Sequence, residues 1–152
     1  MRLQKNTMLA LFSVLEFAAA PERHIPAAEI AGRHGVSPHH LAKVLAELAR
    51  AGIVESVRGV GGGYRFAGNA RRLTLMDVIQ MFEDIAPRAA GPRATPVERA
   101  LESVLSEIDE NAKATFGSIT LATMLRLIAR QQAHAEAEAA RAAKAPRRRR
   151  IA

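Results

Sequence analysis

The chain has 152 residues, of which 49% are apolar and only 4% aromatic, and it carries a formal net charge of +7. This length and composition favour small helices packed around one core, and they disfavour a multidomain enzyme or a β-sandwich. The chain has no cysteine and no apolar run near the roughly 20 residues of a membrane span, so we expect a cytoplasmic protein without disulfides, thiolate metal sites or a membrane partner.

The first third of the chain predicts a helix-turn-helix. Asn6 or Thr7 can cap a first helix that runs to about residue 20. A short second helix follows over residues 26–34, and Gly35 ends it. Ser37 then caps a third helix that runs to about residue 51. Its apolar residues recur at spacings of three and four and are expected to face the core: Leu41, Val44, Leu45 and Leu48.

A glycine-rich hairpin is predicted directly after the third helix. Residues 53–57 and 64–66 are β-branched or aromatic runs, and the turn between them has Arg58 before it and Arg65 after it. Glycines in the turn allow positive φ and a close approach of the backbone to a groove wall. The hairpin therefore resembles the wing of a winged helix-turn-helix, which presents cations to phosphates; the alternative is an ordinary surface hairpin. The run matches neither a Walker loop nor a dinucleotide fingerprint.

The next segments predict a short helix, a linker and a long helix. Thr74 can cap the short helix with Asp77 at the capping-box position. Residues 85–95, rich in proline and alanine, are expected to be a linker. A longer helix is predicted to start at about Thr95, with Pro96 in its first turn and Glu98 at the capping-box position. It carries a regular apolar stripe that needs a partner, which makes its members candidate dimerisation residues: Val97, Leu101, Val104, Leu105 and Ile108.

The end of the chain predicts one more helix and a basic tail. The sequence Phe116-Gly117-Ser118 interrupts the long helix, and Ser118 can cap a final helix that ends near residue 130. Residues 131–152 are alanine-rich with mixed charges and include four consecutive arginines near their end, so they are expected to form at best a fraying helix followed by a disordered basic tail. The fold class is therefore mainly α (α+β), with a winged helix-turn-helix domain over residues 1–84, a linker, and the dimerisation and final helices over residues 96–130.

The candidate contacts with double-stranded DNA lie on the third helix and the wing. In a helix-turn-helix the N-terminal residues of the second helix of the pair reach base edges in the major groove. Lys43 and Arg58 are the principal candidates, the alternative being solvated surface cations. His39 and His40, which follow Ser37, either contact DNA or belong to a simple cap. The five histidines show no ligand spacing with acids, so no metal site, cofactor or catalytic group is expected.

The order of these features resembles the Rrf2 family of bacterial winged-helix transcriptional regulators. The resemblance covers roughly residues 1–128 and depends most on the Leu-Ala-Arg-Ala-Gly-Ile-Val junction at residues 48–54 and on the wing at residues 56–64. It implies a homodimeric repressor joined by the long helix near residues 96–114. The resemblance also implies contacts with DNA phosphates near Arg2, base contacts from the third helix, and an approach to the minor groove by Arg58 and Gly59.

Two departures from the family pattern change what the resemblance implies. Many members ligate an iron–sulfur cluster through three cysteines after the fourth helix, but residues 86–95 here contain no Cys, His, Asp or Glu, so we expect regulation without a cluster. Ala42 stands where relatives often have a groove-facing glutamate that can accept from cytosine N4, so the operator should differ.

Two alternatives to a regulator that only binds DNA are also open. One is a protein-interaction module that is controlled by a partner protein. The other is a sensor of a small-molecule effector, with a pocket lined by Met81, Phe82 and Leu101.

Overall fold

The computed structural model describes residues 3–85 and 90–144. Its elements are α1 (Lys5–Ala19), α2 (Ala27–His34), α3 (Pro38–Arg50), β1 (Val54–Val57), β2 (Gly63–Phe66), α4 (Leu75–Ile79), α5 (Pro96–Ser118) and α6 (Leu121–Lys144). The two strands pair antiparallel in a single hairpin. The predicted fold class is confirmed. Within the described ranges no helix combines the length and the apolar character that a membrane crossing would need.

Helix α1 lies at the centre of the hydrophobic core. Its Val14 and Phe17 are fully buried, and the helix contacts α3, α4, α6 and β2. All four residues of α3 that were expected to face inward are buried. The first residue of α6, Leu121, is also fully buried, and its N–H donates to the Leu73 carbonyl at 2.8 Å. The start of the final helix is therefore packed against the winged domain and is not connected to it by the polypeptide backbone alone.

Three predicted helix caps are present. Ser37 Oγ accepts from the His40 N–H at 3.1 Å at the start of α3. Thr74 with Asp77 and Thr95 with Glu98 form reciprocal capping boxes at the starts of α4 and α5. The backbone N–H of Thr95 donates to Glu98 and lowers the pKa of that carboxyl. Each such cap typically stabilises a helix by about 1 kcal/mol, so these helices begin where local sequence places them.

The cap of α1 was predicted wrongly. The helix begins at Lys5 with Gln4 as its N-cap residue, so neither Asn6 nor Thr7 caps it. Instead the carboxylate of Glu83 accepts from the Gln4 N–H at 2.7 Å and from the Thr7 hydroxyl at 2.5 Å. An anion is favourable at a helix N-terminus, where N–H groups are left without partners. Burial raises the pKa of Glu83, but hydrogen bonds from Thr7 and Gln4 outweigh it, and the net pKa lies below its usual value.

The boundary between the last two helices also differs from the prediction. Helix α5 continues through Phe116 and Gly117 to Ser118, so Ser118 does not cap the final helix. Thr120 takes that role, because its hydroxyl accepts from the Thr123 N–H at 3.2 Å. Helix α6 then extends to Lys144, so residues 131–144, expected to be at best a fraying helix before a disordered tail, continue the final helix. Alanine, glutamine, glutamate and arginine dominate this stretch, and all are strong helix formers. The terminal arginines lie outside the described residues.

Candidate nucleic-acid interface

The N-terminal part of α3 presents a polar face to solvent. Ser37, His39, Ala42 and Lys43 are exposed and His40 is half-buried, while the opposite face of the helix packs into the core. The turn before α3 is tight, because Gly35 takes the left-handed conformation and the Val36 N–H donates to the Ala31 carbonyl at 3.0 Å. This turn fixes the direction in which α3 leaves α2. Arg2, which was predicted to contact DNA phosphates, lies outside the described residues.

The tip of the wing projects from the body of the domain. In the hairpin, Val54 pairs with Phe66 and Val57 with Gly63, which leaves residues 58–62 as the turn. Arg58, Gly59 and Val60 are exposed, and Gly59 has a φ of 104°, a conformation that side chains disfavour. The turn is closed by a 3.0 Å hydrogen bond from the Gly62 N–H to the Gly59 carbonyl. The predicted wing contacts are thus placed at the most protruding part of the hairpin.

The base of the wing is fixed by a residue that sequence reasoning missed. Ile25, just before α2, forms an antiparallel bridge with Tyr64, and their N–H and carbonyl groups exchange two hydrogen bonds of 2.9 Å. The backbones approach so closely here that a Cβ on Gly63 would lie 2.6 Å from the Ile25 carbonyl oxygen. The glycine run therefore serves the attachment of the wing as well as its tip. A β-branched residue directly before Pro26 was the available signal.

Ion pairs separate the lysine and arginine residues of α3 and the wing into two groups. Arg65 donates to Glu55 across the hairpin, with Nε and Oε1 2.8 Å apart, and Arg50 bonds to Glu47 at 2.5 Å. Lys43 and Arg58 have no hydrogen-bond or ion-pair partner within residues 3–85 and 90–144, and both are exposed. A cation that is not already neutralised can approach a phosphate without losing an ion pair. On α3 and the wing, the two cations so left are the two named from the sequence. Arg71 and Arg72, which follow the wing, are further exposed cations without an ion pair in the described part of the chain.

The apolar stripe of α5 is uncovered in the single chain. No residue of α5 is buried. The exposed fractions of its predicted dimerisation residues are all large: Val97 68%, Leu101 59%, Val104 56%, Leu105 42% and Ile108 56%. An apolar patch of this extent on a water-facing helix is typical of protein–protein interfaces. A pocket was hypothesised beside this helix, and among the described residues Met81 and Phe82 pack against the core whereas Leu101 is exposed.

The donor atoms present do not fit an iron–sulfur cluster. Clusters are held chiefly by cysteine thiolates, and the sequence has no cysteine. Across the described ranges, no group of three or more His, Cys, Asp or Glu residues is placed to hold a metal ion.

Comparisons with known proteins agree with this geometry. The Rrf2 family, described as iron-dependent transcriptional regulators, matches residues 3–127. An HTH-type transcriptional regulator of Rhodopseudomonas palustris, BadM, is 49% identical over 130 residues, which cover 84% of this chain and 83% of the relative. The regulator IscR of Xenorhabdus nematophila is 30% identical over 83% of this chain and 80% of its own length. Among solved structures, CymR, the global cysteine regulator of B. subtilis, superposes with a TM-score of 0.72 at 25% identity, covering 84% of this chain and 98% of CymR.

Proposed function

The chain belongs to the Rrf2 family of transcriptional regulators, and we propose that it is a homodimeric repressor that binds a specific double-stranded DNA site in the cytoplasm. The observation that carries the proposal is that α3 and the wing each present one exposed cation without a partner in the described part of the chain, Lys43 on α3 and Arg58 on the wing. They occupy the two elements that a winged helix-turn-helix places against DNA, while the neighbouring Arg50 and Arg65 are neutralised by glutamates.

In each subunit of the dimer, α3 and the wing would contact different grooves of the DNA. The start of α3 enters the major groove, where Ser37, His39 and His40 lie near base edges and phosphates and Lys43 contacts a phosphate or a guanine. The wing lies over the flanking minor groove, with Arg58 directed at the phosphates and Gly59 allowing the backbone to approach the groove wall. Ala42 offers no acceptor, so recognition of cytosine N4 at that position is absent.

Dimerisation through α5 makes this contact strong enough to be specific. The apolar stripe would pair with the same stripe of a second copy about a twofold axis, which is the usual arrangement of a homodimer interface. Pairing two copies would cover Leu101, Val104 and Ile108, which the single chain exposes. It also presents two α3 helices to half-sites about one helical turn, or a multiple of it, apart, so the operator should be roughly palindromic.

The activity proposed is binding and not catalysis, and it needs no cluster. The relatives named above are transcriptional regulators, and an iron–sulfur cluster lacks its thiolate ligands here. Repression then follows from occupying the operator, and its release requires an effector of another kind, either a small molecule or a partner protein.

Binding to the DNA upstream of its own gene tests the proposal. Purified protein, prepared without added iron, is titrated against that DNA and against an unrelated duplex of equal length over a salt series. We expect tight binding to the first duplex only, with an affinity that falls steeply with salt. Equal weak binding to both duplexes would contradict the proposal and favour a winged-helix module that works through a protein partner. A reporter gene behind the bound DNA separates repression from activation.

A further inference from the structure

An open cavity of about 1010 Å³ lies beside the helix-turn-helix turn, on the side of the domain formed by α1 and the end of α5. Its size is at the upper end of the range of small-molecule sites. Its walls are mainly apolar and include Met8, Leu9, Val36 and Phe116. It is separate from the region near Met81 and Phe82 where sequence reasoning placed an effector pocket, and neither proposed dimerisation residues nor the wing line it.

One wall of the cavity is a flat pair of rings. The rings of Phe12 and His34 are stacked, with centroids 5.0 Å apart and an angle of 2° between the planes. His34 is held in place by a 2.7 Å contact between its Nε2 and Glu16 Oε1, and the second oxygen of Glu16 accepts from Arg33 at 2.5 Å. Phe12 is 41% exposed although it is a large apolar residue. A rigid, partly exposed aromatic surface of this kind favours contact with a planar apolar group.

The polar groups of the cavity are donors and not acids. Among the described residues, Lys5 and His40 line it, and no aspartate or glutamate does. The Lys5 ammonium and the His40 ring have no hydrogen-bond or ion-pair partner among the residues that the structure describes. A ligand that combined an apolar planar body with an anionic end would satisfy both the rings and these donors.

We infer that this cavity binds a small organic carboxylate with a planar apolar body, and that the bound carboxylate weakens DNA binding. The second half of the inference rests on the proposed function. Ser37 and His40 line the cavity and also form the first turn of α3, the helix proposed to enter the major groove. A carboxylate that engages His40 removes it from the DNA surface and fills the space beneath the start of α3. Because linkage is reciprocal, DNA and ligand must weaken each other's binding by the same factor.

Binding of 2-naphthoate, compared with its neutral isostere 2-naphthamide, tests the site itself. Isothermal titration of the full-length protein, without DNA, should show saturable binding of the acid about tenfold tighter than that of the amide, the value of one charge-assisted hydrogen bond. The variant Lys5→Gln should remove that preference and leave the amide unaffected. Phe12→Leu should weaken both probes, because both use the ring. Arg50→Gln, a cation of α3 outside the cavity, is the matched control and should bind like the parent. Equal affinity of the parent for acid and amide, or unaltered acid binding by Lys5→Gln, overturns the site.

A second titration tests the link to DNA and keeps the two proposals apart. Operator affinity is measured with and without saturating 2-naphthoate, and we expect the acid to weaken it severalfold in the parent but not in Lys5→Gln. Acid binding without any effect on operator affinity overturns the regulatory half of the inference. If the protein bound no DNA at all, the first titration would still decide the site, so failure of the repressor proposal would be recognised separately.

Discussion

Arg58 offers the sharpest test of the proposed DNA contact, because its charge can be removed without disturbing the wing. The side chain is exposed and has no partner in the described part of the chain, so Arg58→Gln breaks no hydrogen bond of the hairpin. Each phosphate that a protein neutralises contributes about 0.9 to the slope of log affinity against log salt. A twofold dimer carries the residue twice, so the slope should become shallower by about 1.8. When the salt concentration rises from 50 to 200 mM, the affinity of the variant for DNA should therefore fall by a factor about 12-fold smaller than that of the parent.

Fluorescence anisotropy with labelled operator DNA at several salt concentrations measures this slope. The matched control is the double variant Glu55→Gln/Arg65→Gln, which removes the cross-strand ion pair of the wing and leaves the net charge unchanged. Its slope should equal that of the parent. If Arg58→Gln keeps the slope of the parent, Arg58 lies away from the phosphates and the reasoning is refuted. An equal loss of slope in the double variant would mean that the shape of the wing, and not the free charge, controls binding.

Three further predictions concern assembly and stability. Leu101→Glu should convert the dimer to a monomer in analytical ultracentrifugation, because it places a charge in the apolar stripe, whereas Ser103→Glu on the opposite face of α5 should not. Gly63→Ala should lower the free energy of unfolding by about 1–3 kcal/mol, because the added Cβ would overlap with a backbone oxygen. Gly32→Ala, where a Cβ meets nothing within 4 Å, should raise that free energy by up to about 1 kcal/mol. Urea denaturation measures both changes. Since the pKa of Glu83 is lowered in the folded state, its stabilisation is present above the carboxylate's ordinary pKa and is lost as the pH falls through the folded pKa. Stability measured against pH should therefore be flatter in Glu83→Gln across the acid range, and an unchanged profile would contradict that assignment.

The starts of α3, α4 and α5 and the turn of the helix-turn-helix followed from the sequence because they depend on neighbours three or four residues apart. Ser37, Thr74 and Thr95 were predicted as caps and accept the expected backbone hydrogen bonds. Gly35 was expected to end α2 and takes the left-handed conformation. The same reasoning failed at Ser118, because the break between the last helices depends on the pairing of Thr74 with Thr120, which are distant in sequence.

The residues of the candidate site stay a prediction from the sequence, whereas their ion pairs are seen only in the structure. The sequence favoured Lys43 and Arg58 by their positions but did not show that Arg50 and Arg65, cations of the same basic segment, are paired with glutamates. The distinction comes partly from the hairpin register, which sets Glu55 opposite Arg65 across the two strands. Register depends on pairing between strands and not on the composition of either one.

The sequence by itself determined the helix order, the inward face of α3, the wing and the apolar stripe of α5, because periodicity and local capping are encoded within short stretches of chain. Only the tertiary structure decided the contacts between distant segments. It brought Glu83 to the N-terminus of α1, joined Ile25 to Tyr64 at the base of the wing, and placed Lys5, Phe12 and His40 around one cavity. These residues meet because burial of the core determines how whole helices pack against each other. The sequence pattern of one helix does not predict which polar side chain of another segment will lie beside it.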